Sequence, residues 1–165
     1  MIKQILCFVT CMMVFLAGGG TEAAEKNVSS GKSVEGDSEQ GGWMTSVDAA
    51  KVEAGKRHVP ILVDFSGSDW CGWCIKLDKE VFSKPEFKDY ADKGLVLLLV
   101  DFPRRKFQSE EQKKQNEVLA RSFGVEGFPT VLLIDEKGKE LARTGYQPGG
   151  AVDYVKHLKG LIDGK

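Results

Sequence analysis

The sequence predicts an α/β fold with a central mixed sheet and helices on both faces. Two nearly continuous apolar runs, at residues 59–65 and 95–100, are typical of strands that are covered on both sides. A helical pattern separates them, which favours a parallel crossover connection. The tight turn at residues 135–138 instead joins two strands as an antiparallel hairpin. An amphipathic helix follows this hairpin and closes the chain.

The helices follow from capping signals and apolar spacing. One is predicted over residues 47–54, with Gly55 ending it. A second begins at or near Cys71, because apolar residues recur at helical spacing after this position. A polar connection over residues 102–115 then leads into a helix that Gly124 ends.

The N-terminal part of the chain predicts export. Residues 1–23 combine a positive charge at Lys3, an apolar stretch over residues 5–17 and small residues near the end, as a secretory signal peptide does. A retained membrane anchor is the alternative, although the stretch is short for spanning a bilayer. Residues 24–42 contain few large apolar side chains and are predicted to be a disordered leader. The folded domain is therefore expected over residues 43–165, in the periplasm or otherwise outside the cytoplasm.

Removal of the signal would leave Cys71 and Cys74 as the only cysteines, since Cys7 and Cys11 precede the predicted cleavage site. A pair this close in sequence closes a very short loop, so a disulfide between these cysteines would add little to the stability of the fold. Two thiols where a buried strand turns into a helix instead favour thiol–disulfide exchange. Cys71 at the helix N-terminus is the predicted nucleophile, and Cys74 is the predicted resolving thiol. No cofactor is predicted beyond this redox-active disulfide.

Other uses of the two cysteines are weaker. A zinc site needs about four ligands, and only His58 and His157 are available, both far away in sequence. Haem attachment would require histidine where Ile75 stands. We therefore predict no metal site. The net charge of −1 gives no electrostatic reason to expect nucleic acid as a partner.

Charged residues near the cysteines raise further hypotheses. Asp64 lies inside an apolar strand, so burial should raise the pKa of its carboxyl; the alternative is a strand-end carboxylate that reaches solvent or caps a turn. Asp69 precedes Cys71 by two residues and should disfavour its thiolate, which favours a reductase over a strong oxidase. The charged run at residues 104–114 is interpreted as a solvated loop, and a docking surface is the alternative.

Three segments together resemble the thioredoxin superfamily. They are the strand Ile-Leu-Val-Asp-Phe at residues 61–65, Trp-Cys-Gly-Trp-Cys at residues 70–74, and Gly-Phe-Pro-Thr at residues 127–130. Within the superfamily the chain is most similar to exported bacterial thiol:disulfide oxidoreductases, including DsbH-type reductases and the C-terminal thioredoxin domain of DsbD. Two features depart from thioredoxin itself: Gly-Trp replaces Gly-Pro between the cysteines, and one additional residue separates Asp64 from Cys71.

The resemblance implies a thioredoxin fold and specific roles. Asp64 matches the buried acid that helps move the proton of the resolving cysteine. Pro129 matches a cis-proline whose loop lies against the cysteines and binds substrate as an added strand. From the residues themselves, Trp70 and Trp73 are either substrate-facing aromatics or ordinary cover for the pocket; Trp73 is expected to be exposed, and Trp70 is expected to pack against the domain while shaping the site. The residues expected to contact substrate are Trp70, Gly72, Trp73, Phe128, Pro129 and Thr130.

We therefore predict an exported, monomeric thiol:disulfide oxidoreductase that reduces disulfides in exported proteins. A membrane thiol electron donor would then reduce its own disulfide again. An isomerase or an oxidase would use the same two cysteines. A different class, a non-catalytic polypeptide-binding module or a thiol metal chaperone for a soft ion such as Cu(I), is the further alternative. Turnover of a disulfide substrate separates these classes.

Overall fold

The computed structural model describes residues 42–164, so the predicted signal peptide and most of the predicted leader lie outside the described residues. Within this range, none of the helices combines the length and apolar character needed to span a bilayer. The regular elements are α1 (Val47–Arg57), β1 (Ile61–Ser66), α2 (Gly72–Leu77), α3 (Pro85–Gly94), β2 (Val96–Asp101), α4 (Glu110–Ser122), β3 (Thr130–Ile134), β4 (Glu140–Thr144) and α5 (Gly150–Asp163). A π-helical turn, Asp78–Phe82, extends α2.

The four strands form one mixed sheet in the order β2-β1-β3-β4. Strands β1 and β2 are parallel, while β3 is antiparallel to both β1 and β4. Helices α1 and α4 pack on one face of the sheet, and α2, α3 and α5 pack on the other. The predicted fold class is confirmed. Every residue of β1 is buried because this strand is central and covered on both faces, which explains its nearly continuous apolar sequence.

The sheet register brings three loops together at one edge. At the carboxyl end of β1, Ser66 is paired with Asp101, the last residue of the parallel strand β2. On the other side of β1, Phe65 is paired with Thr130, the first residue of the antiparallel strand β3. The loops that follow β1 and β2 and the loop that precedes β3 therefore meet at this edge.

Helix α1 is longer than the sequence predicts. It continues through Gly55 to Arg57, and His58 ends it in the left-handed conformation with φ of 54°. The guanidinium of Arg57 donates to the carbonyls of Asp92 at 2.7 Å and Leu95 at 3.0 Å. These long-range hydrogen bonds hold the last turn of the helix, so a glycine two residues earlier does not terminate it.

Helix α4 begins inside the stretch predicted as a polar connection over residues 102–115. Ser109 caps it, and its Oγ accepts a hydrogen bond from the Gln112 amide at 3.2 Å. Glu110 and Glu111 occupy the first turn, where negative charge is favourable against the helix dipole. The first turns of this helix are largely solvent-exposed, and apolar periodicity therefore did not reveal them.

A buried amide cluster fixes α4 to the end of β2. Asn116 is 1% exposed and donates to the Asp101 carbonyl at 2.8 Å. Its Oδ1 accepts from the side-chain amides of Gln112 at 2.9 Å and Gln115 at 3.2 Å. The polar groups of Asn116 are thus satisfied, and the cluster holds the residue from which the loop after β2 departs.

Candidate active site

The two cysteines lie at the N-terminus of α2 and are joined by a disulfide, with their Cα atoms 5.2 Å apart. Cys71 is the N-cap residue, and its Sγ accepts a hydrogen bond from the Cys74 amide at 3.2 Å. Both cysteines are buried, with Cys71 8% and Cys74 4% exposed as whole residues. A helix-terminal amide directed at Sγ favours negative charge on Cys71.

A tight turn connects β1 to the cysteines and accommodates the additional residue. The Gly67 carbonyl accepts hydrogen bonds from the amides of Trp70 at 3.1 Å and Cys71 at 2.8 Å. The indole of Trp70 lies directly over Gly67, because a Cβ at this position would come within 2.5 Å of the ring. Only glycine leaves room for the indole, so the turn geometry and the position of Trp70 depend on each other.

Trp70 packs against the domain while bordering the cysteine turn, as expected from the sequence. Its Nε1 donates to the Phe102 carbonyl at 2.7 Å. Its ring meets Phe128 edge to face at 6.0 Å, and Phe128 stacks on Phe102 at 5.1 Å. The Arg104 guanidinium lies 3.8 Å from the centroid of the Trp70 ring. These contacts join the loop after β2 and the loop before β3 to the residue that precedes Cys71.

Trp73 is 58% exposed, in agreement with its predicted exposure. Its ring lies 5.2 Å from that of Tyr146, and the Lys76 ammonium is 5.1 Å and 5.0 Å from the two ring centroids. The Tyr146 hydroxyl donates to the Glu80 carboxylate at 2.7 Å. Gly72, beside Trp73, is also exposed. The residues between the cysteines therefore form an accessible surface that is braced by the segment after β4.

Tyr146 was missed by the sequence analysis. It follows β4 in an irregular segment, and no local pattern connects it with Trp73, which is far away in the chain. The contact forms only in the folded chain, where the segment after β4 lies next to helix α2.

The loop before β3 carries the remaining predicted substrate contacts. The peptide bond between Phe128 and Pro129 is cis. The Thr130 hydroxyl donates to the Gly127 carbonyl at 2.7 Å, which closes the loop on itself. A Cβ at Gly145 would lie 3.2 Å from the Pro129 carbonyl, so the segment after β4 also approaches this loop closely. Through Phe128, the loop contacts Trp70 and thus lies beside the cysteine turn.

Asp64 is buried, with 6% of its surface exposed, and its Oδ1 has no hydrogen-bond partner. It borders a cavity of about 230 Å³ that Cys74 also lines, together with Asp78. Burial raises the pKa of the Asp64 carboxyl to about 8, and the negative charges of Asp101 and Asp78 add to this effect. The structure thus places an acid of raised pKa next to the inner cysteine rather than at a solvated strand end.

Asp101 is a second acid at this edge that the sequence analysis did not identify. Its carboxylate accepts from the Ser68 amide at 2.8 Å and from the Ser68 hydroxyl at 2.6 Å. The Lys106 ammonium donates to the same hydroxyl at 3.2 Å. The available signal was topological: Asp101 ends the strand predicted to be parallel to β1, and parallel neighbours end at the same edge.

Asp69, which the sequence predicts to disfavour the Cys71 thiolate, is bound by the loop after β2. Its carboxylate accepts hydrogen bonds from three successive backbone amides, those of Arg104 at 2.9 Å, Arg105 at 2.7 Å and Lys106 at 3.1 Å. These amides hold the pKa of Asp69 below its usual value. The loop interpreted as merely solvated is therefore wrapped around a side chain that lies two residues before Cys71.

The fold and this site define a thiol:disulfide oxidoreductase: a cysteine pair caps a helix beside a buried acid, on a mixed sheet with helices on both faces. Residues 47–158 match the family model of the thioredoxin-like domain, and the chain belongs to this family.

Two relatives and one solved structure place the chain within the family. It is 35% identical to the disulfide bond reductase DsbH of Chlamydia pneumoniae, over 96% of this chain and 95% of the relative. It is 30% identical to the thioredoxin-related protein DsbJ of the same organism, over 87% of this chain but only 38% of that longer protein. A solved structure of a DsbH oxidoreductase superimposes with a TM-score of 0.70 at 40% identity, over 74% of this chain and 85% of the other.

Proposed function

We propose that this protein is an exported reductase of disulfides in other exported proteins. The observation that carries the proposal is the position of the Cys71–Cys74 disulfide, with Cys71 at the helix N-terminus and a backbone amide directed at its sulfur. A relative that matches nearly the full chain is named a disulfide bond reductase, which supports the reducing direction. The apolar segment at residues 5–17 supports export.

The reaction transfers two electrons from the protein dithiol to the substrate disulfide. The Cys71 thiolate attacks one substrate sulfur, the substrate S–S bond breaks, and the other sulfur leaves as a thiolate. Cys74 then attacks the Cys71 sulfur as a thiolate and displaces the second substrate sulfur. The protein is left with the Cys71–Cys74 disulfide, and the two protons of its thiols end on the two substrate thiols.

Asp64 is proposed to accept the proton of Cys74 during the second step. Both residues line the same cavity, and the Asp64 Oδ1 atom has no competing hydrogen-bond partner. Its pKa of about 8 is close to that of an ordinary cysteine thiol, at about 8.5. Matched proton affinities make transfer in either direction accessible near neutral pH. No cofactor other than the disulfide is included in this mechanism.

The exposed surface around the disulfide is proposed to hold an extended substrate segment. Backbone next to the cis peptide bond at Pro129 would pair with this segment as an added strand. Trp73 supplies exposed aromatic surface between the cysteines. The proposed contact residues are Trp70, Gly72, Trp73, Phe128, Pro129 and Thr130. After turnover, a membrane thiol donor would return two electrons to the disulfide, and the protein would work as a monomer.

Reduction of insulin by the reduced protein tests the proposal, with Cys71→Ser and Cys74→Ser as a matched pair. Each variant removes one sulfur. We expect Cys71→Ser to abolish turnover, because the attacking thiolate is lost. Cys74→Ser should instead accumulate a mixed disulfide between Cys71 and the substrate, detectable by mass spectrometry of non-reduced samples. Turnover that survives Cys71→Ser contradicts the mechanism.

A further inference from the structure

The loop at residues 103–107, hereafter the Arg104 loop, is anchored to the turn that leads into Cys71. Three successive amides of this loop donate to the Asp69 carboxylate at 2.7–3.1 Å. The Arg104 guanidinium also lies 3.8 Å from the ring centroid of Trp70, the residue before Cys71. Its backbone and one of its side chains are therefore fixed relative to Cys71.

This loop presents cations together with an apolar side chain. Arg104, Arg105 and Lys106 are all exposed, and Phe107 is 95% exposed. Within residues 42–164, no carboxylate oxygen lies within 4.0 Å of the side-chain nitrogens of these three cations. The nearby acids are otherwise engaged, since Asp69 binds the loop backbone and Asp101 binds Ser68.

We propose that the Arg104 loop docks an acidic and apolar segment of the substrate polypeptide, close to the cysteine that Cys71 attacks. This inference rests on the reductase function proposed above. Guanidinium groups bind carboxylates with directed, charge-assisted hydrogen bonds. Burial of the Phe107 ring under an apolar side chain would also be favourable. Because Arg104 is stacked on Trp70, the residue directly before Cys71, a substrate segment bound at Cys71 would lie near this loop.

A polypeptide fits this surface better than a lipid bilayer does. The cations and Phe107 lie on a single short loop at the mouth of the site. A membrane contact normally spreads basic residues and apolar anchors over a longer amphipathic surface. The loop backbone is fixed by Asp69, so the loop offers a small preformed surface that suits one short segment of chain.

Matched peptide disulfides test the proposal. Three otherwise identical substrates would place aspartate, serine or lysine, each next to a leucine, beside the disulfide. Stopped-flow mixing with the reduced protein gives second-order rate constants. At low salt we expect the acidic peptide to react about tenfold faster than the basic peptide, with the serine peptide between them, and we expect the difference to shrink at high salt.

Two variants in the Arg104 loop and one distant variant test whether the preference for the acidic peptide arises at this loop. Arg105→Glu should slow the acidic peptide about three- to fivefold and speed the basic one. Phe107→Ser should slow all three leucine-containing peptides, but not versions in which glycine replaces leucine. Lys137→Glu makes the same change in net charge in the β3–β4 turn, at the opposite end of the sheet, and should leave the preference intact.

Equal rates for the three wild-type substrates would overturn the docking proposal while leaving the reductase function standing. Failure to reduce any of the peptides would contradict the reductase function itself. A preference that Lys137→Glu changes as much as Arg105→Glu does would reflect overall charge and would also overturn the proposal. The same holds if Arg105→Glu weakens binding to vesicles with anionic lipid but leaves the peptide rates unchanged.

Discussion

Asp64 lies in β1 and Asp69 lies in the turn that leads from this strand into Cys71, yet their carboxyl groups are in opposite electrostatic states. Asp64 is buried with an unpartnered Oδ1, and burial raises its pKa to about 8. Asp69 accepts three backbone hydrogen bonds, which lower its pKa. Hydrogen-bond partners and burial, rather than distance from the cysteines in sequence, determine which carboxyl can exchange a proton near neutral pH.

The difference also separates two uses of a carboxyl group. Asp69 holds the Arg104 loop in place and remains ionised while doing so. Asp64 has no such structural bonds at Oδ1 and instead adjoins the cavity next to Cys74. A buried polar atom without a partner costs stability. Such a group in a site of this kind is therefore a candidate for chemistry, whereas a fully bonded one is a candidate for architecture.

The largest expected effect is on the pH dependence of stability, with Asp64→Asn compared against wild type in the oxidised form. Between the ordinary pKa of 3.8 and the folded-state pKa of about 8, the unfolded chain releases the Asp64 proton and the folded protein retains it. Wild-type stability should therefore fall as the pH rises through this window, and Asp64→Asn should lack that contribution. Relative to wild type, the variant should gain about 1 kcal/mol per pH unit.

Urea unfolding at several pH values measures this difference directly. If the stability difference between Asp64→Asn and wild type does not change with pH, the position of Asp64 as a buried acid of raised pKa is wrong. Asp69→Asn serves as the matched control, since its carboxylate has a lowered pKa. Its wild-type contribution should be present at neutral pH and lost only as the pH falls into the acidic range.

A second effect of Asp64→Asn should appear in the exchange reaction. The variant keeps the side-chain shape but cannot accept the proton of Cys74. The step in which Cys74 releases the substrate should therefore slow about 100-fold above pH 8, where the wild-type Asp64 carboxyl is ionised, and less at neutral pH. Acid-quenched samples analysed by mass spectrometry would then contain more of the mixed disulfide on Cys71. Attack by Cys71 should change little. Unaltered release kinetics would exclude Asp64 from the proton transfer.

The smallest effect is expected for Asp69→Asn, and it should be local. Loss of the carboxylate weakens the hydrogen bonds from Arg104, Arg105 and Lys106. Hydrogen exchange at these amides should become several-fold faster, while amides in β1 remain protected. The rate of insulin reduction by this variant should stay within about twofold of the wild-type rate. Unchanged protection of the three amides would show that Asp69 does not hold the loop.

The sequence was sufficient for the framework of the site but not for its surroundings. The buried strand β1, the helix that begins beside Cys71 and the mixed sheet all followed from local periodicity and chain order. Apolar periodicity can be recognised within a few residues, and it predicts an element correctly wherever one face of that element is buried. Periodicity failed at the largely exposed start of α4. Gly55 as a helix stop failed at the end of α1, where Arg57 makes long-range hydrogen bonds.

The long-range contacts around the cysteines could not be predicted from local sequence patterns. Asp101 reaches Ser68 through the register of two parallel strands, and Tyr146 reaches Trp73 through a loop on the far side of β4. The three amides that bind Asp69 belong to a loop whose basic side chains look solvated in sequence. Backbone amides carry no residue-specific signal, so their role appears only when the loops are brought together.

The reduction potential of the Cys71–Cys74 couple tests the central claim most directly. Equilibration of the protein with a thiol–disulfide buffer of known composition, followed by alkylation and mass spectrometry, gives this potential. A reductase should lie in the thioredoxin range, at about −270 mV. A value near about −120 mV, the range of a strong periplasmic oxidant, would contradict the proposed direction of electron flow.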